Sequence, residues 1–217
     1  MGAPTGPGAR LSYFAGGAGG PGWPGTSEWL THLGRYWSHD YAERIVQDPD
    51  DSHVWLITRW AGFHEFSNLS GGTYLINSPS DEYRTLRRVG AGWTLTDLDG
   101  TVETFGSNGE WLSTADRFGN AKTATYGTGG ELESVDFPGG RSETFTYDGT
   151  SGKLATITEI GVDGTTSRTW TYTWNGDDLE SIDVPDGRSW EFFYDDTNWP
   201  GYLTRVELVG TSGGREV

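Results

Sequence analysis

The chain has 217 residues, of which 14% are aromatic, and its composition includes 34 glycines, 11 tryptophans and no cysteine. Its 31 acidic residues outnumber its 15 basic residues, giving a formal net charge of −16. This acidity argues against nucleic acid as a partner, because phosphate backbones attract basic surfaces. The lack of cysteine excludes disulfides and thiolate metal sites, and no apolar run reaches the roughly 18 residues of a membrane span.

Residues 1–28 form an arm dominated by Gly, Pro and Ala, a composition typical of a flexible linker. The arm shows no charged region followed by an apolar run, so no signal peptide is predicted. An arm of this kind becomes ordered only if something packs on it, and Tyr13, Phe14 and Trp23 are its available anchors. Its own repeats and a neighbouring molecule are both open as the packing partner.

Residues 29–98 form an introductory segment with strand-like patterns. The stretch TSEWLTHLGRYW at its start carries the spacing of a helix. VWLITRW and FHEFSN are predicted to pair as a hairpin across Ala61 and Gly62, and WTLTDL and TVETF as a second hairpin across Asp99 and Gly100. The introductory segment is therefore expected to continue into the next region without a linker.

Residues 99–217 repeat one phrase about five times: a glycine, an alternating run ending near Tyr-Asp, a turn, and Leu-x-x-Ile/Val. Repetition at this period indicates a repeat architecture and is not by itself a sign of a catalytic site. The glycines are spaced 19 to 24 residues apart, at Gly100, Gly119, Gly140, Gly164, Gly187 and Gly210. The repeat aromatics are Phe105, Tyr126, Tyr147, Tyr172 and Tyr194, and the leucines are Leu112, Leu132, Leu154, Leu179 and Leu203.

Within one repeat the hydrophobic period is two, which is the period of a strand. Glu143, Phe145 and Tyr147 are predicted to share one face, as are the equivalent aromatic residues near the end of the chain. Each repeat is thus predicted to be a strand, a turn and a second strand. The whole chain is predicted to be all-β, an antiparallel hairpin meander or ribbon preceded by an extended Gly-rich segment.

The Tyr-Asp dipeptide has a structural and a functional interpretation. In the structural one, Tyr147 and Tyr194 stack as neighbours along the ribbon while Asp148 and Asp195 cap the turns that follow them. Recurrence favours this interpretation, because a packing ladder needs the residue in every repeat and a catalytic site needs it once. In the functional one, exposed aromatic rings bind sugars. Trp174-Asn175 replaces the dipeptide in one repeat, so a different turn is expected there.

Candidate catalytic and metal-binding residues lack a distinctive spacing. The histidines His39, His53 and His64 follow no metal-ligand motif, and His39 is expected to be a packing residue beside Trp37. Paired aspartates such as Asp50-Asp51, Asp177-Asp178 and Asp195-Asp196 fall where turns are expected, so turn formation explains them. Oxygen-rich turns could hold Ca²⁺, but no EF-hand pattern is present. We therefore predict no catalytic, cofactor or metal site and no enzymatic activity.

The phrases GRSETFTYDGTSGKLATIT and GRSWEFFYDDTNWPGYLTRVEL resemble the YD repeats of RHS proteins, which include bacterial polymorphic toxins, toxin-complex cage subunits and teneurins. LGRYWSHDY and ITRWAGFHEFSN resemble the segment that introduces these repeats, so the resemblance spans roughly residues 33–212. The repeat-defining positions in the two clearest copies are Gly140, Arg141, Tyr147, Asp148, Leu154, Ile157, Gly187, Arg188, Tyr194, Asp195, Leu203 and Val206.

The resemblance implies a curved or spiralling β-sheet and a non-catalytic structural role in a shell or surface assembly. It also implies an extracellular or cell-surface location, with an enclosed toxin or glycans as possible partners. The Asp-Pro-containing motif near which relatives cleave themselves is absent, and five repeats are too few to close a shell. We therefore expect the ribbon ends to meet further C-terminal repeats or other copies of the chain. Two alternatives stay open: a unit that self-associates into a tube or filament, and a carbohydrate-binding or cell-contact module.

Overall fold

The computed structural model describes residues 11–13, 31–34, 36–47, 53–59, 62–78, 83–210 and 215–216. These residues contain 19 β-strands and one short 3-10 helix, Thr31–Leu33. The predicted all-β antiparallel meander is confirmed. Within the described ranges, no helix is long and apolar enough to cross a membrane.

The strands are numbered in chain order. The first ones are β1 Leu11–Tyr13, β2 Trp37–His39, β3 Arg44–Gln47, β4 His53–Ile57, β5 Phe63–Ser70, β6 Thr73–Ser78, β7 Thr85–Val89, β8 Gly92–Thr96, β9 Val102–Phe105 and β10 Trp111–Ala115. The later ones are β11 Ala121–Tyr126, β12 Leu132–Asp136, β13 Ser142–Tyr147, β14 Leu154–Ile160, β15 Ser167–Asn175, β16 Asp178–Asp183, β17 Ser189–Phe193, β18 Arg205–Val209 and β19 Arg215–Glu216.

The chain forms two compact units. Unit 1 contains Met1–Ser38, Tyr126–Ser134 and Gly140–Val217, and unit 2 contains His39–Thr125 and Val135–Gly139. In unit 2, β3 to β11 pair antiparallel in chain order. In unit 1, β13 to β19 follow the same rule. β1 and β2 form a separate two-stranded sheet.

Both hairpins predicted in the introductory segment are confirmed. β4 and β5 pair with Ile57 opposite Phe63, although Trp60 and Ala61 of their connection lie outside the described residues. β8 and β9 pair with Thr96 opposite Val102, on either side of the Asp-Gly turn. Of the stretch with predicted helical spacing, Thr31–Leu33 forms the short 3-10 helix, whereas the prediction is wrong at its end, because Trp37 lies in strand β2. Its first part lies outside the described residues.

The strands bury alternate residues, as a period of two requires. In β13 the buried residues are Glu143 and Phe145, whereas Thr146, which follows Phe145, is exposed. Unit 1 buries Leu11, Leu33, Trp37, Leu132, Phe145, Leu154, Ile157, Trp170, Tyr172, Leu179, Ile182, Trp190 and Phe192. Unit 2 buries Tyr41, Ile45, Val54, Leu56, Ile57, Phe66, Tyr74, Leu86, Trp93, Leu95, Phe105, Trp111 and Val135. Aromatic rings therefore supply much of both cores.

Candidate functional site

The Leu-x-x-Ile positions of the repeat are core residues. Leu154 and Ile157 are 1% and 0% exposed. They can share the buried face although they are three residues apart, because the β13–β14 pairing has a bulge: Thr146 pairs with Thr156 but Tyr147 pairs with Leu154. The equivalent Leu203 and Val206 at the chain's last repeat are only half-buried. These positions therefore stabilise the sheet, and the last repeat is covered less than the earlier ones.

The aromatic residue of the Tyr-Asp position joins two successive repeats to the ones that precede them. The Tyr147 hydroxyl donates to the Leu132 carbonyl at 2.8 Å. Trp174, which replaces tyrosine, donates from Nε1 to the Leu154 carbonyl at 2.7 Å. An aromatic side chain at this position thus donates to the backbone carbonyl of the repeat leucine in two successive repeats.

Burial keeps these tyrosines protonated. It raises the pKa of Tyr147, and the nearby Glu131 carboxylate raises it further. It also raises the pKa of Tyr194, although the hydrogen bond from Trp37 acts in the opposite direction. A phenol that stays protonated remains a hydrogen-bond donor, which is what a backbone carbonyl requires. Neither group is poised as a base at neutral pH.

The predicted stacking of tyrosine on tyrosine is replaced by contacts with the N-terminal region. The Tyr147 ring lies 5.0 Å from the ring of His32. The Tyr194 hydroxyl accepts a hydrogen bond from Trp37 Nε1 at 3.1 Å. The rings therefore connect the repeats to residues more than a hundred positions earlier in the chain.

The aspartates of the dipeptide have two different roles. Asp148 caps its turn as predicted, since its Oδ1 accepts from the Ser151 amide at 2.7 Å and from the Thr150 amide at 3.2 Å. The Ser151 hydrogen bonds hold the pKa of Asp148 below its ordinary value. Asp195 differs from the prediction, because its carboxylate accepts from the Thr204 hydroxyl on the far side of the β17–β18 connection.

The turn after Trp174-Asn175 differs from the others, as predicted. Asn175 pairs directly with Asp178, so only Gly176 and Asp177 connect β15 to β16. Gly176 has a φ of 61°, which a two-residue hairpin turn favours. The Asp177 carboxylate accepts from Lys153 Nζ at 2.7 Å, which joins this short turn to the preceding one.

The Gly-Arg positions lie at turns and on the surface. Gly140 and Gly187 both have a φ of 84°. Arg188 donates to the Asp186 carboxylate within its own turn, with Nε at 2.8 Å. Arg141 Nη1 lies 3.9 Å from Glu159 Oε1 on the adjacent strand. Both arginine side chains are about half exposed, so these contacts contribute little to stability.

A short N-terminal stretch, residues 31–34 with 36 and 37, crosses successive turns of unit 1, and we call it the rim segment. His32 Nδ1 donates to the Gly152 carbonyl at 2.7 Å, at the β13–β14 turn. Gly34 packs on the β15–β16 turn so closely that a Cβ added there would lie 2.3 Å from the Asp177 carbonyl oxygen. Trp37, which is 1% exposed, reaches the β17–β18 connection through Tyr194.

An aromatic cluster lies where the rim segment ends. Tyr36 stacks on Tyr202 with ring centroids 5.1 Å apart, and Trp199 meets Tyr202 edge-on at 6.1 Å. Tyr36 has a φ of 65°, a strained value for a residue with a side chain. The Tyr13 hydroxyl accepts from the Leu203 amide at 2.7 Å. Tyr13 therefore packs on the chain's own repeats, which is one of the two packing partners predicted for the arm. The other two anchors, Phe14 and Trp23, lie outside the described residues.

The histidines have separate partners. His39 Nδ1 accepts from the Tyr41 amide at 3.0 Å, and its ring lies 6.0 Å from the Tyr41 ring. His53 pairs with Glu65 at 3.4 Å, and His64 accepts from Arg84 Nη2 at 3.3 Å. Across the described ranges, no group of three or more His, Cys, Asp or Glu side chains could hold a metal ion. Asp50 and Asp51 lie outside them.

Two glutamates that the sequence did not single out lie in unit 2. Glu43, just before β3, is 8% exposed. Burial raises the pKa of Glu103 in β9, and the Glu43 charge adds to this effect. Arg59 Nε lies 3.6 Å from Glu43 Oε1. The only sequence signal was the alternation of TVETF, which places Glu103 on the same face as Phe105.

Comparison with protein-family models and with curated proteins finds no match for this chain. The geometry of its own residues therefore carries the functional argument.

Tyr147 and Tyr172 give a direct test of the Tyr-Asp position, because Trp174 and not Tyr172 occupies that position in its repeat, where Tyr172 corresponds to Phe145. We expect Tyr147→Phe to lower the free energy of unfolding by about 1 kcal/mol, because the Leu132 carbonyl loses its donor. Tyr172 is 4% exposed, and its hydroxyl has no hydrogen-bond partner among the described residues. Tyr172→Phe should therefore be neutral or stabilising. Urea denaturation of both variants measures the difference, and equal losses would contradict the assigned role.

Proposed function

We propose that this chain is a non-catalytic structural protein of the RHS/YD-repeat kind, which builds part of a β-sheet shell or of an extracellular surface assembly. The observation that carries the proposal is the repeated bond from the Tyr147 and Trp174 side chains to the leucine carbonyl of the preceding repeat. A residue that makes the same structural contact in successive repeats serves the sheet. A catalytic group would be needed only once.

The other repeat-defining residues support the same proposal. Leu154 and Ile157 are buried, Asp148 caps a turn, and Arg188 binds within its own turn. Each of these side chains has a partner that explains its presence without a substrate. The partners we propose for the assembly are further repeats of the same protein or other copies of this chain, because neighbouring strands supply the hydrogen bonds that a sheet edge needs.

Electron microscopy tests the proposal. The gene would be sequenced through the codon for Val217, and its full product would be purified and imaged. We expect further YD repeats and a hollow or curved β-sheet particle. A product that ends at Val217 and elutes as a single monomer in size exclusion would reject the shell, and filaments or rings formed by this chain alone would favour the self-associating alternative.

The carbohydrate-binding alternative has one feature in its favour. Trp199 is 64% exposed and lies beside Tyr202, so its ring could stack on a sugar. A glycan array probed with the same preparation reports this activity. Binding that disappears in Trp199→Ala would favour the alternative over the shell, and an array without binding would reject it.

A further inference from the structure

Three exposed apolar side chains lie at one end of the unit 2 sheet, and we call them the tip surface: Tyr83, Leu98 and Phe118. Their exposed fractions are 68%, 79% and 76%. Tyr83 lies just before β7, Leu98 in the β8–β9 turn and Phe118 in the β10–β11 turn. All three lie just beyond one row of paired residues that crosses β7 to β11: Thr85, Thr96, Val102, Ala115 and Ala121.

The two turns of the tip surface touch each other. A Cβ added to Gly100 in the β8–β9 turn would lie 3.2 Å from the Arg117 Cβ in the β10–β11 turn. The Arg117 guanidinium lies over the Phe118 ring, 4.7 Å from its centroid. Turns that are two strands apart are separated by roughly 10 Å, because neighbouring strands lie about 4.8 Å apart. One partner segment can therefore contact Leu98 and Phe118 together.

Turn formation does not explain why these side chains are apolar. The β8–β9 and β9–β10 turns close with the same two backbone hydrogen bonds, one of 2.8 Å from the first amide to the fifth carbonyl and one of 3.1 Å from the glycine amide to the first carbonyl. The β9–β10 turn has Ser107 and Asn108 at the positions of Leu98 and Asp99. This turn geometry therefore does not need an apolar side chain, and a leucine that is 79% exposed adds little to the core.

The exposed apolar residue recurs with the repeat. Leu98 lies two positions before the repeat glycine Gly100, and Phe118 lies one position before the next repeat glycine. In unit 1, Val162 lies two positions before the repeat glycine Gly164 and is 70% exposed. The connection that begins a repeat thus carries this feature in both units.

Three carboxylates flank the apolar side chains of the two turns: Asp97, Asp99 and Asp116. The Asp99 carboxylate accepts from the Thr101 amide at 2.8 Å, and this hydrogen bond lowers the pKa of Asp99. The Asn120 side chain donates to the Asp116 carboxylate at 2.8 Å and lowers the pKa of Asp116 in the same way. These two groups therefore remain ionised at neutral pH.

We propose that the tip surface docks a segment of another protein that presents apolar side chains together with lysine or arginine. Charge complementarity selects this partner, because Asp97, Asp99 and Asp116 outnumber Arg117 in the two turns. The same acidity disfavours two other occupants. A second copy would bring its own net charge of −16, and an anionic lipid surface would repel the carboxylates. This docking role goes beyond the structural role proposed above and does not depend on it.

The experiment titrates a short, fluorescently labelled peptide of alternating lysine and leucine with the wild-type chain and with the double variant Leu98→Ser/Phe118→Ser. Both side chains are mostly exposed, so the double variant should fold with nearly the wild-type Tm. We expect its affinity for the peptide to be about tenfold lower, because the apolar contacts are lost while every charge is kept. Val89→Thr is the matched control and should bind as the wild type does, since Val89 is 58% exposed at the opposite end of β7.

Asp99→Asn tests the charge separately. Asparagine keeps a side-chain oxygen for the Thr101 amide but loses the negative charge. Its affinity for the lysine-leucine peptide should be about threefold lower than that of the wild type, and the difference should shrink in high salt. A peptide with glutamate in place of lysine should bind the wild-type chain more weakly than the lysine peptide does.

Equal affinity of the wild type and the double variant for the lysine peptide would overturn the proposal, and Leu98→Ser alone serves if the double variant does not fold. Two further measurements identify a different occupant. The wild-type chain would be sedimented with phosphatidylcholine vesicles and examined for dimers by analytical ultracentrifugation. Vesicle binding or dimerisation that the double variant abolishes would overturn the proposal in favour of a lipid surface or a second copy.

Discussion

Replacing Gly109 with alanine is expected to lower the free energy of unfolding by about 2–5 kcal/mol, the sum of backbone strain and steric overlap. Gly109 closes the β9–β10 turn with a φ of 80°, a conformation that costs an L-residue about 1–2 kcal/mol. A Cβ at this position would lie 1.8 Å from the Ile45 carbonyl oxygen, which is backbone and cannot rotate away. The variant must therefore also displace the start of β3.

Gly119 provides the matched control. It closes the next turn of unit 2 with a φ of 85°, and an added Cβ would meet nothing within 4 Å. Gly119→Ala should therefore cost only the strain, about 1–2 kcal/mol. Guanidinium denaturation of both variants separates the two effects. Equal losses of stability would mean that β3 does not pack on the Gly109 turn.

The hairpins were predictable because their signals are local. Alternation of polar and apolar residues sets which side chains are buried, and Asp-Gly pairs mark where the chain turns back. Both kinds of signal lie within a few residues of the strands they specify. The pairing of Thr96 with Val102 and the burial of Phe145 and Ile157 follow from them directly.

The contacts of the rim segment were not predictable in the same way. His32 bonds to Gly152, 120 positions away, and Tyr13 bonds to the Leu203 amide, 190 positions away. Nothing in a Gly-rich sequence specifies which turn it will cross. These contacts depend on which turns of the folded sheet lie next to the rim segment, and the sequence near the rim segment does not determine that.

The surroundings of Glu103 escaped prediction for a related reason. A glutamate at an inward position of one strand would normally be a local conflict with burial. It becomes tolerable only when a second group from another element arrives, and sequence spacing does not identify that group. Glu143 of β13 is a second example, since it is 3% exposed on a face otherwise made of apolar side chains.

Replacing Leu154 with alanine is expected to cost about 2–5 kcal/mol, since the side chain is 1% exposed and its removal leaves a cavity in the core of unit 1. Its backbone carbonyl also accepts the Trp174 hydrogen bond, so collapse of the cavity would disturb the contact between repeats. This position therefore combines the two features that the repeat preserves, a buried aliphatic side chain and a bonded carbonyl.

Leu203 occupies the same place in the last repeat but is only half-buried. Leu203→Ala should cost about 1 kcal/mol, because less apolar surface is lost from the core. Thermal and urea unfolding of the two variants compare one sequence position in two environments. If the repeat leucine contributed through its local sequence alone, both variants would lose the same stability. A several-fold larger loss at Leu154 would show that the cover provided by neighbouring strands decides what each repeat contributes.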